Sequence, residues 1–129
     1  MEVLLVDDQA TTVQVYAASV RQTFSGAKVH IAVDLPEALQ IAAGRPLDLV
    51  LLDLALTSST GVDTLQRFRS RFPDVPVLVL SASEDRAGIR ACLEAGARGY
   101  IPKTSAIIGL PAAMRTIAAG GRYVPPQAH

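Results

Sequence analysis

Short apolar runs alternate along the chain with longer segments whose apolar residues recur every three or four positions. Continuous apolar runs are typical of strands that are buried on both faces of a parallel sheet. The runs predict five strands, over residues 2–6, 27–32, 47–52, 75–80 and 98–101.

The intervening segments predict amphipathic helices over residues 11–24, 35–43, 62–72 and 84–95. A last helix is expected to follow a cap at Thr104 or Ser105 and to run to about residue 119. Asp34 and Pro36 fit the cap and the first turn of the second helix. Five strands alternating with five helices predict an α/β protein, a parallel sheet covered by helices on both faces with right-handed crossovers.

Composition narrows the class of protein. The 129 residues suit one domain, and half of them are apolar, which is enough for a sizeable core. Twelve basic and twelve acidic residues cancel, so this chain carries no basic nucleic-acid footprint. The apolar runs are too short to span a bilayer, and we expect a cytoplasmic protein with no membrane contact. The single cysteine, Cys92, is expected to be a small apolar residue on a helix. Neither His30 nor His129 has the spacing of a metal ligand.

Polar residues follow four of the predicted strands. Asp7 and Asp8 come after the first strand, Asp53 after the third, Ser81 after the fourth, and Lys103 soon after the fifth. In open parallel sheets the functional crevice lies beyond the carboxyl ends of the strands, so these side chains are expected to converge. Each alone is as readily a turn, a cap or a solvated surface residue, and only their joint placement favours a site.

The chemistry of such a cluster is specific. Three carboxylates repel one another unless a cation neutralises them, and Mg²⁺ prefers oxygen ligands of this kind. A carboxylate can also attack phosphorus and form an aspartyl phosphate. The ammonium of Lys103 and the hydroxyl of Ser81 could stabilise the charge of a transferred phosphoryl group.

The sequence resembles the receiver domains of response regulators in two-component signalling. The resemblance rests on the acid pair in Leu4–Asp8, on Leu49–Leu54 with Gly61 eight residues after Asp53, on Val79–Ala82 and on Ala95–Lys103. It covers essentially the whole chain. It implies a flavodoxin-like doubly wound (βα)5 sandwich with a five-stranded parallel sheet in the order 2-1-3-4-5.

The resemblance also implies roles for individual residues. Asp8 would contact Mg²⁺ directly and Asp7 would help, partly through water. Asp53 would bind Mg²⁺ and accept a phosphoryl group from a sensor histidine kinase or a phosphotransfer protein. The carbonyl of Ala55 would complete the protein's share of the metal shell, and Lys103 would pair with the phosphoryl oxygens.

A switch would follow phosphorylation. Ser81 would turn toward the phosphoryl group, and Tyr100 would rotate inward to fill the space. This population shift would change the face made by the fourth helix, the fifth strand and the fifth helix. Ala55 and Ser83 offer no carboxylate or amide to position an attacking water, so slow self-dephosphorylation is expected.

Two positions depart from the family pattern, Thr57 where proline is frequent and Thr104 directly after the lysine. The segment Ala118–Pro126 resembles the linker of NarL/LuxR-type regulators. The expected organisation is a receiver domain over residues 1–121 and, over 122–129, the start of a linker to an output domain absent from this chain. DNA would be bound only through that domain, and a homodimer is possible.

Other readings remain. A stand-alone receiver could act by protein–protein interaction, and a degenerate receiver would have lost one of the site residues. A flavin or nucleotide carrier would need a glycine-rich loop after the first strand, where residues 7–10 are acidic and lack glycine. A metal-dependent phosphatase would need a second acid two residues after Asp53, where Ala55 stands.

Overall fold

A computed structural model describes residues 1–54 and 61–128. Its sheet consists of five parallel strands in the order β2-β1-β3-β4-β5. The strands are β1 (Glu2–Val6), β2 (Lys28–Ala32), β3 (Leu49–Asp53), β4 (Val77–Ser81) and β5 (Gly99–Pro102). The predicted class, strand order and flavodoxin-like topology are therefore confirmed.

Helices cover both faces of this sheet. They are α1 (Ala10–Thr23), α2 (Leu35–Gly44), α3 (Gly61–Arg71), α4 (Arg86–Glu94) and α5 (Ala106–Ala118). Short 3-10 turns cover Lys103–Ser105 and Pro126–Ala128. None of the helices in the described part of the chain is both long enough and apolar enough to cross a membrane.

The strands divide their side chains between two cores because successive residues point to opposite faces. Leu4 and Val6 of β1 pack with residues of α2, α3 and α4, including Phe68. Val3 and Leu5 pack on the opposite face against α1 and α5. Burial on both faces explains why the strands read as unbroken apolar runs.

One helix start and one helix cap differ from the prediction. The fourth helix begins at Arg86 instead of residue 84, because the side chain of Asp85 accepts a hydrogen bond from the Gly88 N–H and acts as the cap. The last helix begins at Ala106, after the 3-10 turn. The prediction of a side-chain cap there was wrong, since the Ser105 hydroxyl donates instead to the carbonyl of Pro102 at 3.2 Å.

Strand ends also shifted by one or two residues. The third strand starts at Leu49 and the fourth at Val77. The residues just before them still bond to the sheet, since the Asp48 N–H donates to the Glu2 carbonyl and the Pro76 carbonyl accepts from the Val50 N–H. The C-terminal segment after α5 turns back along the sheet, where Tyr123 forms a parallel bridge with Gly99. The proposed boundary at residue 121 stays a prediction.

Candidate functional site

The acidic cluster lies where two neighbouring strands end. Val6 pairs with Leu52 in the ladder between β1 and β3, so the residues that follow in each strand are adjacent. Carboxylate oxygens of Asp7, Asp8 and Asp53 lie within 4.8 Å of one another. Topology alone brings these acids together from positions 46 residues apart in sequence.

The acids differ in their surroundings. Asp7 and Asp53 are each 1% exposed, whereas Asp8 is exposed to solvent. Oδ1 of Asp7 accepts a hydrogen bond from the Gln9 N–H at 2.9 Å, but its buried Oδ2 has no hydrogen-bond partner among the described residues. Burial raises the pKa of Asp7; the Gln9 N–H opposes this shift, and the charge of Asp53 adds to it.

Lys103 supplies the positive charge of the site. It follows β5, two strands from Asp53, and its side chain reaches across β4 so that Nζ donates to Asp53 Oδ2 at 3.0 Å. Burial alone would lower the pKa of Lys103, but the hydrogen bond and charge of Asp53 outweigh it and the pKa is raised. The lysine therefore stays an ammonium held beside the buried carboxylate.

Ser81 and Tyr100 lie on the α4 side of this site. The Ser81 Oγ accepts a hydrogen bond from the Ser83 N–H at 3.2 Å. Tyr100 is 1% exposed, and its hydroxyl donates to the Ser83 carbonyl at 2.8 Å. Tyr100 is thus already turned inward, and it ties β5 to the loop between β4 and α4. Burial raises the pKa of its phenol, although hydrogen bonds to Ser81 and Ser83 act in the opposite direction.

The donor set fits a small divalent cation. Its side-chain ligands are all carboxylate oxygens, which Mg²⁺ prefers, and the unpartnered Oδ2 of Asp7 has a buried position that a cation would satisfy. Asp8, which is exposed, leaves the cluster open to solvent on one side. The expected contribution of the Ala55 carbonyl, and the departure at Thr57, lie outside the described residues.

One residue near the site was not singled out from the sequence. Tyr16 of α1 is 4% exposed and lines a groove together with Lys103 and Ile107. Burial raises the pKa of its phenol, against the opposing charge of Lys103. At a core position of a helix, an aromatic residue gives only a packing signal, so its proximity to the lysine could not be inferred.

Comparison with known proteins identifies the class. Residues 3–115 match the family model described as response regulator receiver domain. The match covers most of the chain, and the chain belongs to this family of signalling domains, as the sequence motifs predicted.

Curated relatives agree. The response regulator MprA of a Mycobacterium species (strain KMS) is 34% identical over 117 residues, which are 91% of this chain and 50% of that protein. The glycerol metabolism activator of Pseudomonas putida is 30% identical over 126 residues, covering 97% of this chain and 57% of the relative. The chain therefore spans about half the length of the curated relatives that it matches.

Solved structures indicate which subfamily of response regulators the chain resembles. A LuxR family DNA-binding response regulator from Silicibacter pomeroyi superposes with a TM-score of 0.85 at 32% identity, covering 100% of this chain and 99% of that one. A LuxR family regulator from an Aurantimonas species gives 0.89 at 27% identity, with 98% and 91% covered. RcsB of Salmonella typhimurium gives 0.90 at 20% identity, with 99% and 64% covered, and shows the shared fold. The expected likeness to LuxR-type regulators is confirmed.

Proposed function

We propose that this receiver domain accepts a phosphoryl group on Asp53 from a phosphohistidine of a sensor kinase or phosphotransfer protein, with Mg²⁺ bound by Asp7, Asp8 and Asp53. The supporting observation is the convergence of three carboxylates within 4.8 Å, with the Lys103 ammonium 3.0 Å from Asp53. Bound Mg²⁺ would neutralise the acids and the incoming phosphoryl oxygens.

In the transfer step an oxygen of the Asp53 carboxylate attacks phosphorus and forms an acyl phosphate. The bond from phosphorus to the donor's imidazole nitrogen breaks, and the imidazole keeps the electron pair and takes a proton. Lys103 already lies at the carboxylate and can shift to the phosphoryl oxygens, where its positive charge would offset their negative charge. The Ser81 hydroxyl, at the end of the next strand, is the proposed second donor.

Phosphorylation would be read out on the face made by α4, β5 and α5. Tyr100 connects that face to the site through the Ser83 carbonyl. The receiver would favour a pre-existing active arrangement when phosphorylated, because a ligand shifts an equilibrium by its differential affinity for the two states.

The proposed output is transcription, in the cytoplasm, through a DNA-binding domain joined after residues 122–129. Relatives about twice as long as this chain and a LuxR family neighbour described as DNA-binding support this proposal. RcsB, a fold neighbour, has been solved as dimers bound to DNA, and a homodimer is proposed here by analogy. A stand-alone receiver acting through protein contacts is the alternative.

Beryllofluoride with Mg²⁺, a phosphoryl mimic, tests the acceptor. RcsB has been solved as an isolated receiver domain in the presence of this mimic. The native chain should bind it, and Asp53→Asn should not. Asp63→Asn removes an exposed acid on α3 and serves as the control that should bind like the native chain. Equal binding by native protein and Asp53→Asn would contradict the proposal.

A further inference from the structure

The C-terminal segment 122–128, here called the strap, is held against α4 and β5 at several points. Its first contact is with β5, where the Tyr123 N–H donates to the Arg98 carbonyl at 2.9 Å and the Tyr100 N–H donates to the Tyr123 carbonyl at 3.3 Å. The backbone of Tyr123 therefore pairs with Gly99 and holds the amide of Tyr100, the next residue, whose side chain bonds to the loop between β4 and α4.

The strap next contacts the middle and the last turn of α4. The Arg122 guanidinium donates to the Leu93 carbonyl in the last turn at 2.9 Å, and Arg90 donates to the carbonyl of Ala128 at 3.1 Å. Ala128 itself is 4% exposed. Seven residues with two prolines thus make side-chain and backbone contacts along one helix, which is more than a freely moving tail would make.

A third contact is with the loop between β4 and α4, which follows Ser81. The Gln127 amide donates to Glu84 Oε1 at 3.0 Å. Glu84 directly follows Ser83, whose carbonyl accepts a hydrogen bond from the Tyr100 hydroxyl. The loop, Tyr100 and the strap are therefore each hydrogen-bonded to the other two. Ala128 also shares an apolar cluster with the side chain of Tyr100.

We infer that the strap stabilises the inward arrangement of Tyr100 and is thereby coupled to the phosphorylation state of Asp53. The inference rests on the proposed function, in which the phosphorylated site favours inward Tyr100. Strap docking and phosphoryl binding then favour the same arrangement, and linkage requires each to strengthen the other by the same factor. The strap would carry the state of the site to whatever follows it in the chain.

The first test uses Ala128→Glu, which places a charge in a buried contact of the strap, with Ala119→Glu as the same change at an exposed position after α5. Hydrogen exchange at the Tyr100 and Ala128 amides reports strap docking. Beryllofluoride affinity in Mg²⁺ reports the site. Ala128→Glu should expose both amides and weaken mimic binding about fivefold or more, and Ala119→Glu should do neither.

A second pair keeps the strap sequence intact. Arg90→Ala removes the donor to the Ala128 carbonyl, and Arg86→Ala removes an exposed arginine one turn earlier on α4. Only Arg90→Ala should weaken binding of beryllofluoride and speed hydrogen exchange at the Tyr100 and Ala128 amides. In the native chain, beryllofluoride with Mg²⁺ should slow exchange at the same amides.

The outcomes separate the inference from the proposed function. Unprotected strap amides in the native chain would overturn the inference, as would a strap that Ala128→Glu leaves docked. A strap released without loss of mimic affinity would also overturn it. If the native chain fails to bind the mimic at all, the proposed function fails, whatever the exchange of the strap shows.

Discussion

The ammonium of Lys103 lies 3.0 Å from the carboxylate of Asp53, across the intervening strand β4. The Asp53 side chain is 2% exposed and that of Lys103 is 22% exposed. The two partners are therefore unequal, because solvent reaches the lysine far more easily than the aspartate. Loss of the lysine leaves a buried charge, whereas loss of the aspartate leaves a cation that water can solvate.

We expect Lys103→Met to lower the free energy of unfolding by about 1–3 kcal/mol in the absence of Mg²⁺. Asp53→Asn should lower the free energy of unfolding by less than this, or raise it, because the substitution also relieves repulsion from Asp7. Added to Lys103→Met, Asp53→Asn should recover most of the loss. Urea unfolding of the four proteins gives the coupling energy directly, and additive single effects would argue against the pair.

Mg²⁺ should stabilise the folded chain by mass action. At a free concentration 100 times its Kd, a cation that binds only the native state adds about 2.7 kcal/mol. Asp8→Asn removes an exposed oxygen ligand from the cluster and should reduce the Mg²⁺-dependent rise in melting temperature. Asp63→Asn should leave that rise unchanged, and a chelator should reverse it. A rise that survives Asp8→Asn and Asp53→Asn alike would mean that Mg²⁺ acts elsewhere.

The βα alternation and the acidic cluster could be predicted from local signals, whereas the strand order was implied by the resemblance to receiver domains. Unbroken apolar runs such as Val3–Val6 mark strands buried on both faces. Once the strands are parallel, their carboxyl ends meet at one edge, so Asp8, Asp53 and Lys103 converge without any knowledge of packing. Element boundaries were less accurate, since α4 starts where the Asp85 side chain caps it.

The strap could not be predicted for a different reason. Residues 122–128 are short, contain two prolines and show no apolar period, which is the pattern of a linker. Their position depends on tertiary contacts, above all the burial of Ala128 and its bond from Arg90. Likewise, the inward rotamer of Tyr100 depends on a carbonyl that the β4–α4 loop supplies, and no local pattern encodes it.

Alkaline pH should destabilise the domain through its buried phenols. Burial raises the pKa of Tyr16 and Tyr100 above the ordinary value of 10.0. The native state therefore holds these protons more tightly than the unfolded chain. This contribution is fully present below pH 10.0 and is lost as the pH rises through the raised folded values.

Tyr100→Phe should separate the two effects of this residue. Loss of the hydrogen bond to Ser83 should cost about 1 kcal/mol at neutral pH. Above pH 10 the variant should lose stability less steeply than the native chain, because one titrating phenol is gone. Urea unfolding between pH 7 and 11 measures both. Parallel curves over the whole range would show that the phenol of Tyr100 does not contribute to the alkaline loss.

The acyl phosphate on Asp53 should be long-lived. Hydrolysis needs a water that is positioned and deprotonated for attack on phosphorus, and neither Ala55 nor Ser83 carries a carboxylate or an amide. The hydroxyl of Ser83 instead accepts a hydrogen bond from the Asp85 N–H at 3.2 Å, within the loop.

We expect the acyl phosphate to have a lifetime well beyond seconds, measured by decay of the radiolabelled phosphoprotein after removal of the donor. Ser83→Glu should shorten it by about tenfold, below the full contribution of a well-placed base, while Ser70→Glu on the exposed side of α3 should not. Decay of the native phosphoprotein within seconds would show that another group of the chain positions the water.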